Sequence, residues 1–266
     1  MNIPYYNNKK IWITGASSGI GKALAIELSK HGAYMILTAR SKDKLEETKA
    51  TLHNPEKSEI ILLDMADSGQ IDSVTNKVLK QHGHIDILIN NAGISQRSLT
   101  LNTEMKVYHK LMNINYFGVI QMSKLILPSM MNLKSGNIIT ITSVNGKLGS
   151  YMKSGYASSK HALHGFFDAL RLEHHKDNIK VTLVCPGFVN TNVARNALTA
   201  DGSQQTIQDA MTENGLNPDV FVKKMIKAIK KEKFEAYIGK FEAFGVYVQR
   251  LSPRLIHWLV LRSKVK

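Results

Sequence analysis

The sequence predicts an α/β domain built on a doubly wound, mostly parallel sheet of about seven strands, with helices on both faces. Three observations predict it. Short apolar, β-rich runs alternate with helix-length amphipathic segments along most of the chain. A glycine turn joins the first run to the first helical segment, and turns bearing reactive polar residues recur where later runs end.

Ile11 to Ile13 and Tyr34 to Thr38 read as strands, and Ile20 to Lys30 between them carries apolar residues at helical spacing, which makes a first βαβ unit. The pattern repeats through Ile60 to Leu63, Ile85 to Ile89, Asn137 to Ile141 and Val181 to Val184. Near-continuous apolar strands are expected where helices cover both faces of a sheet, and right-handed crossovers then give the Rossmann architecture. After Cys185-Pro186-Gly187 the alternation stops, and residues 188–217, rich in Asn, Thr, Gln and Ser, read as a mobile substrate loop. Asn217-Pro218-Asp219 has the form of a helix N-cap with proline at the first helical position, and Val222, Met225, Ile226 and Ile229 form the apolar face of the helix. A last strand, Ala236 to Ile238, stops at Gly239 and leaves a basic, apolar extension over 241–266. With no repeat, linker or low-complexity tract to divide it, 1–266 reads as a single domain.

Composition narrows the function. Hydrophobic residues make up 43% of the 266 and charged residues 21%, ordinary for a globular protein with a full core. Lys and Arg outnumber acids 35 to 21, but the surplus gathers late: six lysines lie between Lys223 and Lys233, and no acid follows Ala243. No aromatic-interleaved RNA motif, zinc finger or basic heptad segment accompanies it, so nucleic acid is not an expected partner. The single cysteine, Cys185, excludes an intramolecular disulfide and fits a reducing, cytoplasmic setting. Met1 to Lys10 is polar and has no apolar h-region, so neither a secretory signal nor an N-terminal anchor is expected.

The turn Thr14-Gly15-Ala16-Ser17-Ser18-Gly19-Ile20-Gly21 follows the first strand and opens the first helix. Gly15, Gly19 and Gly21 let the backbone tighten and approach a pyrophosphate, while N–H groups around Ser17, Ser18 and Ile20 and the helix dipole favour its charge. An ordinary Gly-Ser turn is the alternative, disfavoured by the strand-turn-helix setting. Where an NAD-specific site usually places an acid after the second strand, this chain has Ala39 and then Arg40. A guanidinium there pairs with a 2′-phosphate, which favours NADP(H) and leaves NAD(H) open.

Asn90-Asn91-Ala92-Gly93 ends the fourth strand, Asn115 lies in a long helix, Ser143 follows the fifth strand, and Tyr156-Ala157-Ser158-Ser159-Lys160 begins the next helix. The spacing of four puts Tyr156 and Lys160 on one helix face. A phenol with a reference pKa of about 10 needs roughly 4 kcal/mol of preferential phenolate stabilisation to fall by about three units, and Lys160 is positioned to supply charge. Tyr156 and Lys160 alone read equally as an amphipathic helix start, and Ser143 as a turn residue. Together, in this order, they resemble the short-chain dehydrogenase/reductase family over nearly the whole chain.

That resemblance implies an oxidoreductase in which Tyr156 is the acid in reduction and the base in oxidation. It gives Lys160 the nicotinamide ribose hydroxyls, Ser143 the substrate oxygen, and Asn115 a water linking Lys160 to solvent. Asn113 competes for that asparagine role, but the family's asparagine immediately precedes the Tyr116-Phe117-Gly118 position. The resemblance further assigns Asp64 to the adenine, Asn90 to the central sheet, and Asn91, Ala92, Gly93, Ile94, Pro186, Gly187, Val189 and Thr191 to the cofactor, with no metal. Asp64 reads equally as a helix N-cap. A homodimer or homotetramer and a small apolar carbonyl or alcohol substrate follow by the same resemblance. The segment from Asn217 onward is similar to the branch of the family called member seven, associated with hydrophobic carbonyl substrates. A sugar-nucleotide epimerase or dehydratase and a non-catalytic NADP(H)-binding regulator are the competing readings.

Other signals read as structural. His161 and His164 lack a third ligand for zinc, and His174-His175 suit a helix C-terminus. Cys185 reads as a small buried hydrophobe without a partner base. In the tail, Leu255, Ile256, Trp258, Leu259, Val260 and Leu261 form an apolar cluster flanked by Arg250, Arg254 and Arg262, too short to span a bilayer. It suits contact with an anionic lipid surface, a cap on the substrate pocket, or packing against a neighbouring subunit.

Overall fold

The structure is a computed structural model that describes residues 3–262. Strands β1 (Lys10–Thr14), β2 (Tyr34–Ala39), β3 (Ser58–Leu62), β4 (Ile87–Asn90), β5 (Gly136–Ile141), β6 (Ile179–Pro186) and β7 (Glu235–Ile238) form one sheet in the order β3-β2-β1-β4-β5-β6-β7. Each neighbouring pair is parallel, so the sheet is wholly rather than mostly parallel. The strand order reverses between β1 and β4, and an open sheet of this kind forms its crevice at that point.

The two-residue period of the strands splits their side chains between two cores. Ile11, Ile13, Met35, Leu37, Ile87 and Ile89 face a layer made by helices α1 (Gly19–Ser29), α2 (Lys42–Ala50) and α8 (Pro218–Lys230). Trp12, Ile36, Leu88 and Ile138 face the opposite layer of α3 (Ser68–His82), α5 (Gly118–Asn132) and α6 (Ser154–Glu173). Helices on both faces explain why these strands are apolar at successive positions.

Caps fix where the helices begin. The Asn217 side chain accepts the Asp219 N–H at 2.8 Å ahead of Pro218, as the sequence predicts for α8. At α3 the cap is Asp67, whose carboxylate accepts the Gln70 N–H at 2.9 Å. Asp64 instead closes a turn by accepting from the Ala66 N–H, which removes the helix-cap reading of that residue.

The long helix expected around Asn115 is interrupted. α4 (Met105–Met112) passes into a π-helical turn over Asn113–Phe117 before α5 begins. The extra residue per turn brings both Ile114 and Asn115 inward, where a regular helix would spread neighbouring residues around its surface.

The segment read as a mobile loop, 188–217, is tied down at several points. Val189 bridges Leu216, Leu198 bridges both Gln96 and Gln204, and a short helix, α7 (Ala210–Glu213), lies within it. The tail folds into α9 (Gly245–Leu251) and α10 (Pro253–Arg262). Val246 and Ala243 pack on Val144, with partly buried Leu148 and Tyr237, whereas α10 contributes no buried residue. Residues 263–266 of the predicted extension, like 1 and 2 at the other end, lie outside the described residues.

Candidate active site

A cleft of about 580 Å³ opens above the β1/β4 reversal. Its floor is the glycine turn. Gly15 has φ +66°, a conformation that L side chains avoid, and a Cβ added at Gly21 would lie 2.2 Å from the Gly15 carbonyl oxygen. Ser18, the N-cap of α1, makes no side-chain capping hydrogen bond, so the first N–H groups of that helix stay available. This is the form of a phosphate cradle: close backbone approach, free donors and a helix dipole pointing outward. The residues present therefore fit a dinucleotide.

Gly15, Ser17, Ser18, Gly19 and Ile20 all line the cleft, and Gly21 lies beneath it as the close-packing glycine. Arg40, exposed directly after β2, lines the same cleft beside Ser41 and Lys44, and Asp64 lines it from the end of β3. Asn91, Ala92 and Gly93 border it from the β4 turn, and Pro186, Gly187, Val189 and Thr191 border it from the end of β6. Asn91 does more than line the wall. Its amide donates to the carbonyls of Thr14 at 2.9 Å and Gly15 at 3.1 Å. Thr14 Oγ1 in turn accepts the N–H groups of Asn91 and Ala92, both at 3.0 Å. Asn90 steadies the sheet as expected, donating to Ser123 and Thr140 at 3.0 and 3.3 Å.

Ser143, Tyr156 and Lys160 meet in the cleft. Ser143 caps the turn after β5, accepting the Asn145 N–H at 3.1 Å. Lys160 Nζ lies 5.9 Å from the Tyr156 ring centroid and donates to the Ile141 carbonyl at 2.8 Å. Burial pulls the Lys160 ammonium down to about 8. Burial also pushes the Tyr156 phenol up, against the Ser143 hydroxyl and the Arg97 charge, which both pull it down. The expected lowering of the phenol by Lys160 is thus not seen in this structure. Desolvation outweighs the opposing pulls.

Asn115 is fully buried and does not line the cleft. Its amide accepts the Ile94 N–H at 2.9 Å and donates to the Ile94 carbonyl at 2.9 Å and Ser159 Oγ at 3.0 Å. It therefore clamps the strand-end turn to α6. A Cβ on Gly93 would lie 3.2 Å from Asn115 Oδ1 and 3.4 Å from Lys160 Nζ, so both side chains approach the backbone of Gly93.

Sequence reasoning missed Gln96. It is fully buried, and its Oε1 accepts the N–H groups of Gly155 at 2.7 Å and Tyr156 at 3.3 Å. Lys153, the N-cap of α6, provides no side-chain cap, so Gln96 performs that task from a distant segment. Its only sequence signal is its place just after the β4 turn, where open sheets assemble their sites.

Cys185 needs one correction. His164 Nε2 lies 3.9 Å from its sulfur, so a base is nearby, and His164 Nδ1 is shared with Glu235 at 3.1 Å. Burial pushes the thiol up to about 12, which keeps it protonated and unreactive. His161 is exposed and contacts the Ala157 carbonyl, and among the described residues no cluster of His, Cys, Asp or Glu is placed to hold a metal.

A phosphate cradle and a Ser-Tyr-Lys centre in one crevice define a nicotinamide-dependent oxidoreductase that interconverts alcohols and carbonyls. The family model described as short chain dehydrogenase matches residues 9–202. The "Dehydrogenase/reductase SDR family protein 7-like" of Anopheles gambiae is 40% identical over the whole chain and 86% of that protein. The mouse protein "Dehydrogenase/reductase SDR family member 7B" is 37% identical over 94% of the chain and 80% of its own length. A short-chain dehydrogenase structure from Streptomyces avermitilis superposes with a TM-score of 0.81 at 27% identity, covering 96% of this chain and 98% of that one. The chain belongs to the short-chain dehydrogenase/reductase family, in its member seven branch.

Replacing Gln96 with Leu strands the Gly155 and Tyr156 N–H groups and removes the donor that its Nε2 offers the Ser98 and Thr103 hydroxyls. Equilibrium urea unfolding is expected to show a loss of about 1–3 kcal/mol. An unchanged midpoint would show that the catalytic helix does not depend on this cap.

Proposed function

We propose that the protein is an NADP(H)-dependent oxidoreductase that interconverts a carbonyl and an alcohol on an apolar small molecule. The observation that carries this reading is the convergence of Ser143, Tyr156 and Lys160 on the cleft that also holds the glycine cradle and Arg40. When bound, the nicotinamide supplies or accepts the hydride, and the protein handles the proton.

Tyr156, kept protonated by burial, donates its proton to a carbonyl oxygen in reduction and takes it back in oxidation. Ser143 hydrogen-bonds the same oxygen as its charge changes. Lys160 spends one of its three donors on Ile141 and offers the others to ribose hydroxyls and to the charge beside the phenol. Asn115 supports this relay from beneath Gly93 by fixing Ile94 and Ser159.

Arg40 carries no ion pair among the described residues and sits where the adenosine ribose of a dinucleotide is read, which suits a 2′-phosphate. Asp64 is assigned to the adenine, and Pro186, Gly187, Val189 and Thr191 to the nicotinamide side. An apolar substrate is supported by Ile94, Val189, Val193 and Leu198 along the cleft and by the tail that packs beside Ser143. Residues 188–217 then serve as the substrate loop.

No helix among the described residues is long and apolar enough to cross a membrane. The outer faces of α9 and α10 nonetheless expose Phe244, Tyr247, Leu251, Trp258 and Leu261 beside Arg250, Arg254 and Arg262. We assign this surface to an anionic bilayer, since apolar rings with cations and no acid match its interface. The protein would be a cytoplasmic one, peripheral at that surface. Self-association is assigned to the outer faces of the π-helical turn leading into α5 and of α6, where Phe117, Ser158, Gly165 and Ala169 are exposed.

Three measurements check these assignments. In stopped-flow absorbance with NADPH and a carbonyl panel, Tyr156→Phe is expected to lose at least about 100-fold in turnover, and equal rates would remove Tyr156 from catalysis. In titration calorimetry, Arg40→Ala should weaken NADPH by about tenfold or more and barely change NADH, whereas equal losses would refute the 2′-phosphate role. In co-sedimentation, the protein should pellet with anionic and not with neutral vesicles. Binding to neither would exclude the bilayer surface.

A further inference from the structure

The chain leaves β6 through Pro186-Gly187-Phe188, and this exit is held by a side chain from the tail. The Gly187 N–H donates to the Ile238 carbonyl at 2.9 Å, which ties the exit to the end of β7. After Gly239 the tail makes a 3-10 turn over Phe241–Phe244 and brings the half-buried Glu242 back onto it. A single oxygen, Glu242 Oε1, accepts the N–H of Phe188 at 2.9 Å and that of Lys240 at 3.0 Å. A Cβ on Gly187 would lie 2.1 Å from the same oxygen, and one on Gly239 would lie 2.7 Å from it. The carboxylate is therefore seated against two glycine backbones, where any side chain would displace it. The next residue, Ala243, is buried against Val144 and anchors the turn.

We infer that Glu242 is a positioning residue for the nicotinamide end of the cofactor: as the acceptor for the Phe188 N–H, it fixes the backbone between Gly187 and Val189, two residues that line the cleft. The first turn of the tail is then part of the binding site. This rests on the reading of the cleft as an NADP(H) site with Pro186 to Thr191 on the nicotinamide side.

The surrounding backbone shows what the carboxylate adds. The Phe188 carbonyl accepts the Leu216 N–H at 2.8 Å, and the Leu216 carbonyl accepts the Asn190 N–H at 2.9 Å, so the two ends of the 188–217 segment are paired with each other. That pairing closes the segment on itself, and the Phe188 N–H goes to Glu242 instead, which ties the closed segment to the tail. A carboxylate holds an amide more strongly than a neutral oxygen does. Without it, the peptide after Gly187 gains freedom that a bound nicotinamide must remove, and affinity falls for ligands that reach this wall. The adenosine end is spared, because Arg40 follows β2, and β1, β4 and β5 lie between β2 and β6.

The test is calorimetric titration of the full chain with NADPH and with 2′-phospho-ADP-ribose, the same molecule without its nicotinamide. Glu242→Ala is expected to weaken NADPH by about tenfold and to leave 2′-phospho-ADP-ribose unchanged, a contrast that a general loss of structure would not give. Glu242→Gln keeps an oxygen acceptor in place and should stay within about threefold of the parent for both ligands. Gly239 does not line the cleft, yet Gly239→Ala drives a methyl toward the carboxylate and should reproduce the selective loss. Equal losses for the two ligands, an unchanged NADPH affinity in Glu242→Ala, or a loss in Glu242→Gln as large as in Glu242→Ala overturns the proposal. Where Glu242→Ala does not fold, Gly239→Ala decides by the same contrast. Should NADH bind more tightly than NADPH, the contrast is read with NADH and ADP-ribose. A parent that binds neither dinucleotide overturns the cofactor reading itself, which tells the two failures apart.

Discussion

The junction between Thr14 and Asn91 is the constraint on which the rest of the site depends. Four hydrogen bonds cross between the ends of β1 and β4: two N–H groups of the β4 turn on Thr14 Oγ1, and the Asn91 amide on the carbonyls of Thr14 and Gly15. These strands are neighbours only because the sheet reverses there. The junction fixes the strained Gly15 backbone, Gly21 packs against the Gly15 carbonyl, and the start of α1 takes its direction from that contact. From the other side of the junction the chain runs on to Gln96, which sets the start of α6 and with it Tyr156 and Lys160. The cradle and the Tyr156–Lys160 pair are therefore held from one short stretch of chain, residues 91–96, through hydrogen bonds that are wholly or partly buried.

That network is made largely of neutral amides. Asn90, Asn91, Gln96 and Asn115 satisfy backbone and hydroxyl groups that would otherwise be buried without partners. Neutral side chains cost less to bury than charges, so the few ions in the site retain functional weight. Lys160 and Lys153 are both pulled toward neutrality by burial, and Tyr156 is held protonated. Small changes in nearby charge then act on groups already displaced from their ordinary ranges. Behind the site, Glu235 collects His164, Lys147 and Tyr237, and burial keeps the neighbouring Cys185 a protonated, inert thiol.

The tail joins this centre to the outside of the molecule. Val246 and Ala243 rest on Val144, the residue after Ser143, so the same segment that packs beside the cleft carries an exposed apolar and basic surface. The cleft itself is lined in part by the apolar side chains of Ile94, Val189 and Leu198.

The sequence by itself determined the fold class, the strand order of appearance, the N-cap of α8, and a set of site residues that nearly all reach one cleft. These signals are local: strand runs, a glycine turn, a Tyr-Lys spacing of four and a cap are each written within a few neighbouring residues. Only the tertiary structure decided that Asn115 works from a π-helical turn as a buried clamp, that Asp67 rather than Asp64 caps α3, and that Gln96 rather than a residue of its own N-terminus caps α6. It alone brought Arg97 to Asp209, 112 residues apart in the chain, and buried Tyr156 so that desolvation pushes its phenol up. Burial and long-range pairing set these features, and both arise only once distant segments exclude water together.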